Sequence, residues 1–521
     1  MKNALLAAAI GGLALLSPVP AQEPELWQLR TGQRQRLSST PQGGYDRAFA
    51  ALALAEAGSL PQALQLLQPY LEWLNDFPQV KEIHGHREPA WIRGEAEQAA
   101  LVTLALIEMD RAQPDPRRRE AILQFAQGLA QLHHPDTQSY PFGAHVSFSG
   151  GGDTPPYAPL LDRNGVELGK APGALWRAER SYQVKALAAA SAHLGDKSLL
   201  EEAQSEALAM WSHLVTSNRW PWGFLPRPTG QSTVLGSVAA IDNLLSLASA
   251  TSSPVYPLLA GLAGKTCLEQ SPVNDSEKAA QDYARKRLSE SRIPLWEGYE
   301  ELAPAVSYQI MEAENGRAVN KAFDEFEVDY PNGEKGKLVR VGRDQMFWMR
   351  FDVDREDDYF FYLIFLKSQL EGGLVSVLMR IDGDKIIQVP LGGASDPYVD
   401  MDFVDGPRRL RSGPHSFGIR FNGLLMTQPA MLDSVIAWPV IERRYLGKSD
   451  GSRLLLLHNN SKKAARTTYP EIPQWPPDSI NVVDGSGQTA TVQRESDRRR
   501  RREYIVLPPG ATAWLQWKER P

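Results

Sequence analysis

Two acidic residues stand close to both arginine and tryptophan. Glu95 follows Trp91 and Arg93, and Glu179 follows Trp176 between Arg177 and Arg180. A third acid, Asp242, lies inside the apolar stretch that runs from Val234 to Ala250. Carboxyls that face each other across a cleft can divide acid–base work, one protonating a leaving oxygen while the other serves as base or nucleophile, as cleavage of a glycosidic bond requires. Arginine beside a carboxyl favours its ionised form, which suits a base or an ion pair better than a proton donor. The competing role for each acid is therefore an ion pair on or between helices. Asp153 and Asp162 are further acids of the same region.

The same stretch holds a second set of groups. Tyr182 with Arg180, or His145 with Arg163, pairs a base with a cation, the combination that abstracts a proton beside a carboxylate. Trp176, Trp220 and Trp222 offer flat apolar plates against which a sugar ring can pack. His84-Gly-His86 and His133-His134 match no transition-metal ligand spacing, and Pro135 follows the second pair directly.

These residues must be held by helices. From Gln42 to Arg287 apolar residues recur at helical spacing, broken by turns that carry Pro and Gly. The pattern predicts helices over Tyr45–Ala57, Leu60–Leu74, Trp91–Arg111, Pro116–Leu132, Leu175–Leu194, Lys197–Thr216, Thr233–Ala250, Pro254–Leu262 and Ser276–Ser289. They fall into hairpins, such as the one bent at Gly195-Asp196. One stretch, Ala51 to Leu64, looks like a tetratricopeptide repeat, but no fixed period of about 34 residues continues it. The connection from Pro135 to Gly173 is too long for such a repeat, and long connections between helices are commonly functional.

The phrases Leu175-Trp-Arg-Ala-Glu-Arg-Ser-Tyr-Gln-Val-Lys-Ala-Leu187, Trp220-Pro-Trp-Gly-Phe-Leu-Pro226 and Tyr256-Pro-Leu-Leu-Ala-Gly-Leu-Ala263 resemble secreted carbohydrate-active proteins with a six-hairpin (α/α)-toroid. The resemblance implies a ring of helical hairpins with its loops gathered at one mouth. Nine helices fall short of a complete ring, so a partial toroid is expected. No acid-bearing motif of that family carries over.

Near Arg292-Ile-Pro294 the period changes to two. Phe347–Val353, Tyr359–Phe365, Val375–Ile381 and His415–Phe421 alternate or run apolar between turns such as Asp382-Gly383, the pattern of an antiparallel β-sandwich over residues 306–441. This region resembles carbohydrate-binding module families 6 and 35. The likeness runs through Tyr308–Asn315, Val353–Tyr359, Arg380–Lys385, Leu410–Phe417 and Leu432–Ile436. It implies a structural calcium held by Glu312, Glu314 and Asp433, which would tie the first strand of the sandwich to its last. Trp348, Tyr398, Phe403 and Trp438 are the aromatic candidates for a sugar platform, Trp348 foremost. The Gly-rich loop Leu391–Tyr398 is a candidate binding edge.

Residues 442–521 alternate again and predict a small second sandwich, with packing rather than chemistry as its role. The run Arg498–Arg502 lies between Asp497 and Glu503 and is expected to form a solvated hairpin turn. The chain is 42% hydrophobic and 23% charged, the composition of ordinary globular protein. Its formal net charge of −6 gives no general attraction to nucleic acid or anionic membranes. Residues 1–21 read as an export signal, with Lys2, an apolar run and Val19-Pro20-Ala21 for cleavage. Cys267 alone cannot form an internal disulfide, so stability must come from large cores.

The expected architecture is multidomain α + β: an export signal, an α/α toroid over 22–295, and two antiparallel β-sandwiches. The expected function is that of an exported glycoside hydrolase-like protein acting on polysaccharide. A non-catalytic glycan binder with a degenerate toroid, a polysaccharide lyase and a helical scaffold for protein partners are the alternatives.

Overall fold

The computed structural model describes residues 27–30, 33–36, 44–73, 80–83, 86–89, 96–131, 157–172, 182–211, 219–220, 230–231, 234–272, 275–293, 296–303, 308–318, 323–329, 335–341, 346–367, 375–384, 386–391, 398–403, 406–422, 431–461, 463–472, 476–497 and 502–519. Statements below concern these residues.

Each of the nine predicted helices has a counterpart among the described residues, with α5 starting at Gln183 and not at Leu175: α1 Gly44–Glu56, α2 Leu60–Trp73, α3 Ala96–Ala112, α4 Pro116–Gln131, α5 Gln183–Leu194, α6 Lys197–Trp211, α7 Val234–Ala250, α8 Val255–Glu269 and α9 Asp275–Glu290. In the first four pairs each helix packs on its successor, and α1, α3, α5, α7 and α9 also pack in sequence as an inner row. Sequence explains this placement. Helix α7, Val-Leu-Gly-Ser-Val-Ala-Ala-Ile-Asp-Asn-Leu-Leu, is small and apolar nearly all round, so it can be covered on several sides. Half of helix α9 is charged, and its buried apolar residues are Ala280, Ala284 and Leu288, a stripe of i, i+4 and i+8. Between α5 and α6, Gly195 takes φ 76° and its N–H donates to the Ser191 carbonyl, a left-handed cap that a residue with a Cβ would adopt only with strain.

The helical region is not purely α. A β-hairpin precedes each of α1, α3, α5 and α7: residues 27–36, 80–89, 157–172 and 219–231. The third of these corrects the reading of Pro135–Gly173 as a plain loop. Its strands Tyr157–Asp162 and Glu167–Pro172 leave the helices and enter the sheet of the first sandwich, where Asp162 pairs with Val328 and Lys170 with Tyr398.

The first sandwich opposes two sheets across a core of Phe347, Met349, Phe361, Leu363, Val377, Ile419, Val435 and neighbours. One sheet has five strands in the order Arg317–Ala318, Phe347–Val353, Gly413–Asn422, Val375–Ile381, Ile387–Leu391. The other closes on itself. Met431–Pro439 pairs with Lys335–Arg340, which pairs with Glu325–Asp329; the 157–172 hairpin comes next, then Tyr398–Phe403 and Asp357–Lys367, which pairs with Met431–Pro439 again. The closed sheet encloses a second core, with Leu160, Tyr308, Val328, Phe360, Tyr362, Ile364, Ile436 and Trp438. Two stretches are accordingly buried on both faces, Tyr359–Leu366 and Met431–Trp438, as strands covered on both sides must be.

The last region is the expected second sandwich, built from a five-stranded and a three-stranded sheet, the former with Glu300–Glu301 at its edge. Asp497 pairs with Arg502; Arg498 to Arg501, where the sequence predicts a solvated hairpin turn, lie outside the described residues. One face of the five-stranded sheet presents Leu446, Leu454, Leu456, Val483 and Trp514 to the core of the helical region. The molecule is therefore mixed α + β, and its sheets are antiparallel apart from the parallel pairing of Glu167–Pro172 with Tyr398–Phe403.

Candidate functional site

The strand Phe347–Val353 alternates cleanly. Phe347, Met349, Phe351 and Val353 are buried, while Trp348 is partly exposed and Arg350 and Asp352 are exposed. The inward set joins the sandwich core, which places Trp348 on the outer surface of the five-stranded sheet. Trp348 stands opposite Gly418 on one neighbouring strand and opposite Arg317 on the other. A Cβ at Gly418 would come within 2.8 Å of the indole Cζ3 and 2.9 Å of Cε3. The indole thus lies against the bare backbone of Gly418, a close approach that only glycine permits. Flat aromatic surface held this way on a rigid sheet is the kind of plate that packs against the apolar side of a sugar ring.

Around it are polar side chains with the same outward direction. The register puts Arg380 beside Gly418 and Arg420 beside Leu378, with Leu378 in turn opposite Gln388. Gln388 Nε2 donates to Ser376 Oγ at 2.8 Å. Arg380 is fastened to its own turn, Nε donating to the Asp384 carbonyl at 2.8 Å and Nη2 to that of Gly383. Beyond this face, His415 Nδ1 meets Asp382 Oδ2 at 2.5 Å and its Nε2 meets the Arg411 carbonyl at 2.6 Å. Burial opposes the imidazolium, but the Arg411 carbonyl and the Asp382 carboxylate prevail and hold its pKa above the ordinary value.

The other aromatic candidates fare differently. Trp438 is fully buried in the second core, which removes it as a platform. Tyr398 and Phe403 are described in backbone only, as the ends of one strand.

Of the three acids expected to hold calcium, Glu312 and Asp433 lie on adjacent paired strands. Glu312 pairs with Ser434 across adjacent strands, so their side chains share a face, and Ser434 Oγ donates to Asp433 Oδ2 at 2.8 Å. Asp433 is buried and is skipped in the register with Asp357–Lys367, the mark of a bulge. Glu314 is not on that strand face, because the strand stops at Glu312 and Ala313–Asn315 is a single 3-10 turn. Its negative field instead helps raise the pKa of Lys337, whose main partner is Glu325 at 3.1 Å. Among the described residues no three or more His, Cys, Asp or Glu gather closely enough to hold a metal ion.

In the helical region Glu95, Glu179, Trp176 and Trp222 lie outside the described residues, as do Asp153, Arg180, His145 and His133-His134. Trp220 is described in backbone only, paired with Gly230. Tyr182 precedes α5, packs on the helical core, and has Lys185 Nζ 5.6 Å from its ring centre. Asp162 makes its own hairpin turn, Oδ1 accepting the N–H groups of Asn164 and Val166 at 2.8 Å each. Asp242 is buried between α7 and α9. Tyr283 Oη donates to both of its oxygens, at 3.1 and 2.9 Å, and Arg287 Nε donates at 3.3 Å. That is the interhelical ion pair that competed with the catalytic reading. Replacing Asp242 by Asn should accordingly destabilise the protein by about 2 kcal/mol, the worth of hydrogen bonds to a charged group. Chemical denaturation would register this loss as a lower midpoint.

No protein-family model matches the chain, and no curated protein matches it. Solved structures similar to part of it include a family 35 carbohydrate-binding module from Clostridium thermocellum, 13% identical, with 25% of this chain and 98% of that one covered at a TM-score of 0.21. The module CBM6cm-2 of lichenase 5A from Cellvibrio mixtus, solved with cellotriose, is 15% identical over 25% of this chain and 95% of its own, with a TM-score of 0.18. The exo-beta-1,3-galactanase of Phanerochaete chrysosporium is 20% identical over 25% of this chain, TM-score 0.20, and the match spans 29% of the enzyme's own length.

Proposed function

We propose that the chain is an exported carbohydrate-active protein whose first sandwich binds polysaccharide on the outer sheet face around Trp348, next to a glycoside hydrolase-like helical region. The observation that carries the binding reading is the partly exposed indole laid against Gly418 on a rigid sheet. A binding surface beside a cleft raises the local concentration of polymer for whatever chemistry the cleft performs. Affinity electrophoresis of the mature protein in gels containing different polysaccharides tests it directly. Trp348→Ala should lose retardation by about tenfold or more in apparent affinity, the loss of about 1.4 kcal/mol or more expected when a tryptophan central to a binding face is truncated. Equal retardation of both proteins would remove the face from the function.

Glu95 and Glu179 remain the proposed acids of the helical cleft, and reducing-end release by Glu95→Gln and Glu179→Gln variants tests them. The commitment of Asp242 to Tyr283 and Arg287 favours the second reading, a glycan binder without a working acid pair. In that case neither variant changes any measured rate, and binding persists.

Calcium is proposed in reduced form: Glu312 and Asp433 as the acidic ligands, with main-chain carbonyls completing a site of oxygen donors. Melting after chelation and then after addition of CaCl2 tests it. A rise in melting temperature that Asp433→Asn abolishes supports the site. An unchanged temperature leaves Asp433 as the hydrogen-bonded residue of a bulge.

A further inference from the structure

We infer that the glycan taken by the Trp348 face is acidic, bearing carboxylate or sulfate groups. This rests on the glycan-binding reading above and names its ligand class. Three arginines point outward around the indole. Arg317 is its cross-strand neighbour on the edge strand, and Arg350 is two residues along its own strand. Arg420 is two residues from Gly418 on the other flank. With about 3.4 Å per residue, Arg350 and Arg420 bracket Trp348 over about 13 Å along the strands.

Among the described residues none of these three has an ion-pair or hydrogen-bond partner, and Arg420 Nε is buried without one. Several other arginines of the sandwiches are ion-paired: Arg340 with Asp324, Arg355 with Glu471, Arg409 with Glu356, Arg453 with Glu519. Asp352 is also exposed on this face, two residues beyond Arg350; three arginines against it still leave the face locally positive in a chain whose net charge is −6.

A ligand that covers Trp348 must also strip water from its flanks. Desolvating a guanidinium without a counter-charge is costly. Neutral hydroxyls cannot supply that charge. A carboxylate or sulfate can, and its oxygens match the fork of the guanidinium. Nucleic-acid phosphates carry charge of the same sign, so an oligonucleotide competitor distinguishes the two kinds of polymer.

The test uses the full-length protein and isothermal titration with polygalacturonate, a sulfated glycosaminoglycan, a neutral β-glucan and a single-stranded oligothymidylate. The acidic polymers should bind more tightly than the neutral one and weaken as salt rises. Arg350→Gln and Arg420→Gln should each lower acidic-polymer affinity about tenfold, the value of one charge-assisted contact. Both should lower acidic-polymer affinity more than neutral-polymer affinity and leave the melting temperature unchanged, and Arg350→Lys should recover part of the loss. Neutral and acidic polymers bound equally, with the Gln variants unaffected, overturns the inference and leaves glycan binding standing. Equal competition by the oligonucleotide overturns it too. Absence of binding to every polymer, with Trp348→Ala no different, overturns the glycan reading itself.

Discussion

Trp438→Ala will destabilise the first sandwich by about 3–5 kcal/mol, the cost of removing a fully buried large aromatic and leaving a cavity. The indole is completely inaccessible and lies 4.8 Å from the Tyr308 ring at an angle of 37°. Phe360, its cross-strand partner, and Tyr362 and Ile436 line the same core. Without the indole these side chains lose contacts that only a collapse of the closed sheet could restore, and closure through hydrogen-bonded strands resists collapse. Urea denaturation followed by near-ultraviolet circular dichroism would measure the change as a lower midpoint with the slope preserved. A cost under about 1 kcal/mol, typical of surface positions, would mean that the second face of the sheet is not a packed core.

The second large effect depends on pH. Glu206 lies in α6 and is buried, with a pKa pushed up to about 8 by that burial first and by the nearby Glu202 second. In the folded chain it is therefore protonated at neutral pH, whereas in the unfolded chain it ionises near its ordinary 4.5. The unfolded state gains by releasing that proton, so stability falls as pH rises from 4.5 towards 8 and is level above. At about 1.36 kcal/mol per unit, the whole fall is on the order of 5 kcal/mol. Glutamine cannot ionise. Glu206→Gln should match the parent protein at about pH 4 and be clearly more stable at about pH 9, in paired thermal melts across that range. Equal stability at the alkaline end would show that Glu206 stays charged in the fold and has found a cation.

Much of this architecture is legible in the residues. The helices announce themselves through 3.6-residue periodicity and through Gly58 and Gly195 at their ends, and the strand around Trp348 through strict alternation. The hairpin of residues 157–172 is hidden. Pro155, Pro156 and Pro159 interrupt any strand pattern there, and its partners lie more than 160 residues further along the chain, which no local signal encodes. A hint exists on the other side: Phe360–Leu366 is apolar or aromatic throughout, which a sheet with one solvated face would not need. The calcium reading requires alternation to continue through Glu314, and the 3-10 turn at Ala313–Asn315 ends it. Trp348 stands out by its residue type, whereas Arg317, Arg350 and Arg420 do not. Each is ordinary along the chain, and only cross-strand register assembles them around one indole.

The two strands lent by residues 157–172 bear on how the protein can be divided. An excised 306–441 fragment would lack them, leaving Glu325–Asp329 and Tyr398–Phe403 with bare edges and Phe360, Tyr362 and Trp438 wetted from one side. Unpaired edges beside exposed aromatics invite intermolecular pairing, so such a fragment should precipitate or self-associate unless the borrowed segment travels with it. The sandwich is thus not a detachable cassette, and transplanting it means carrying the hairpin along.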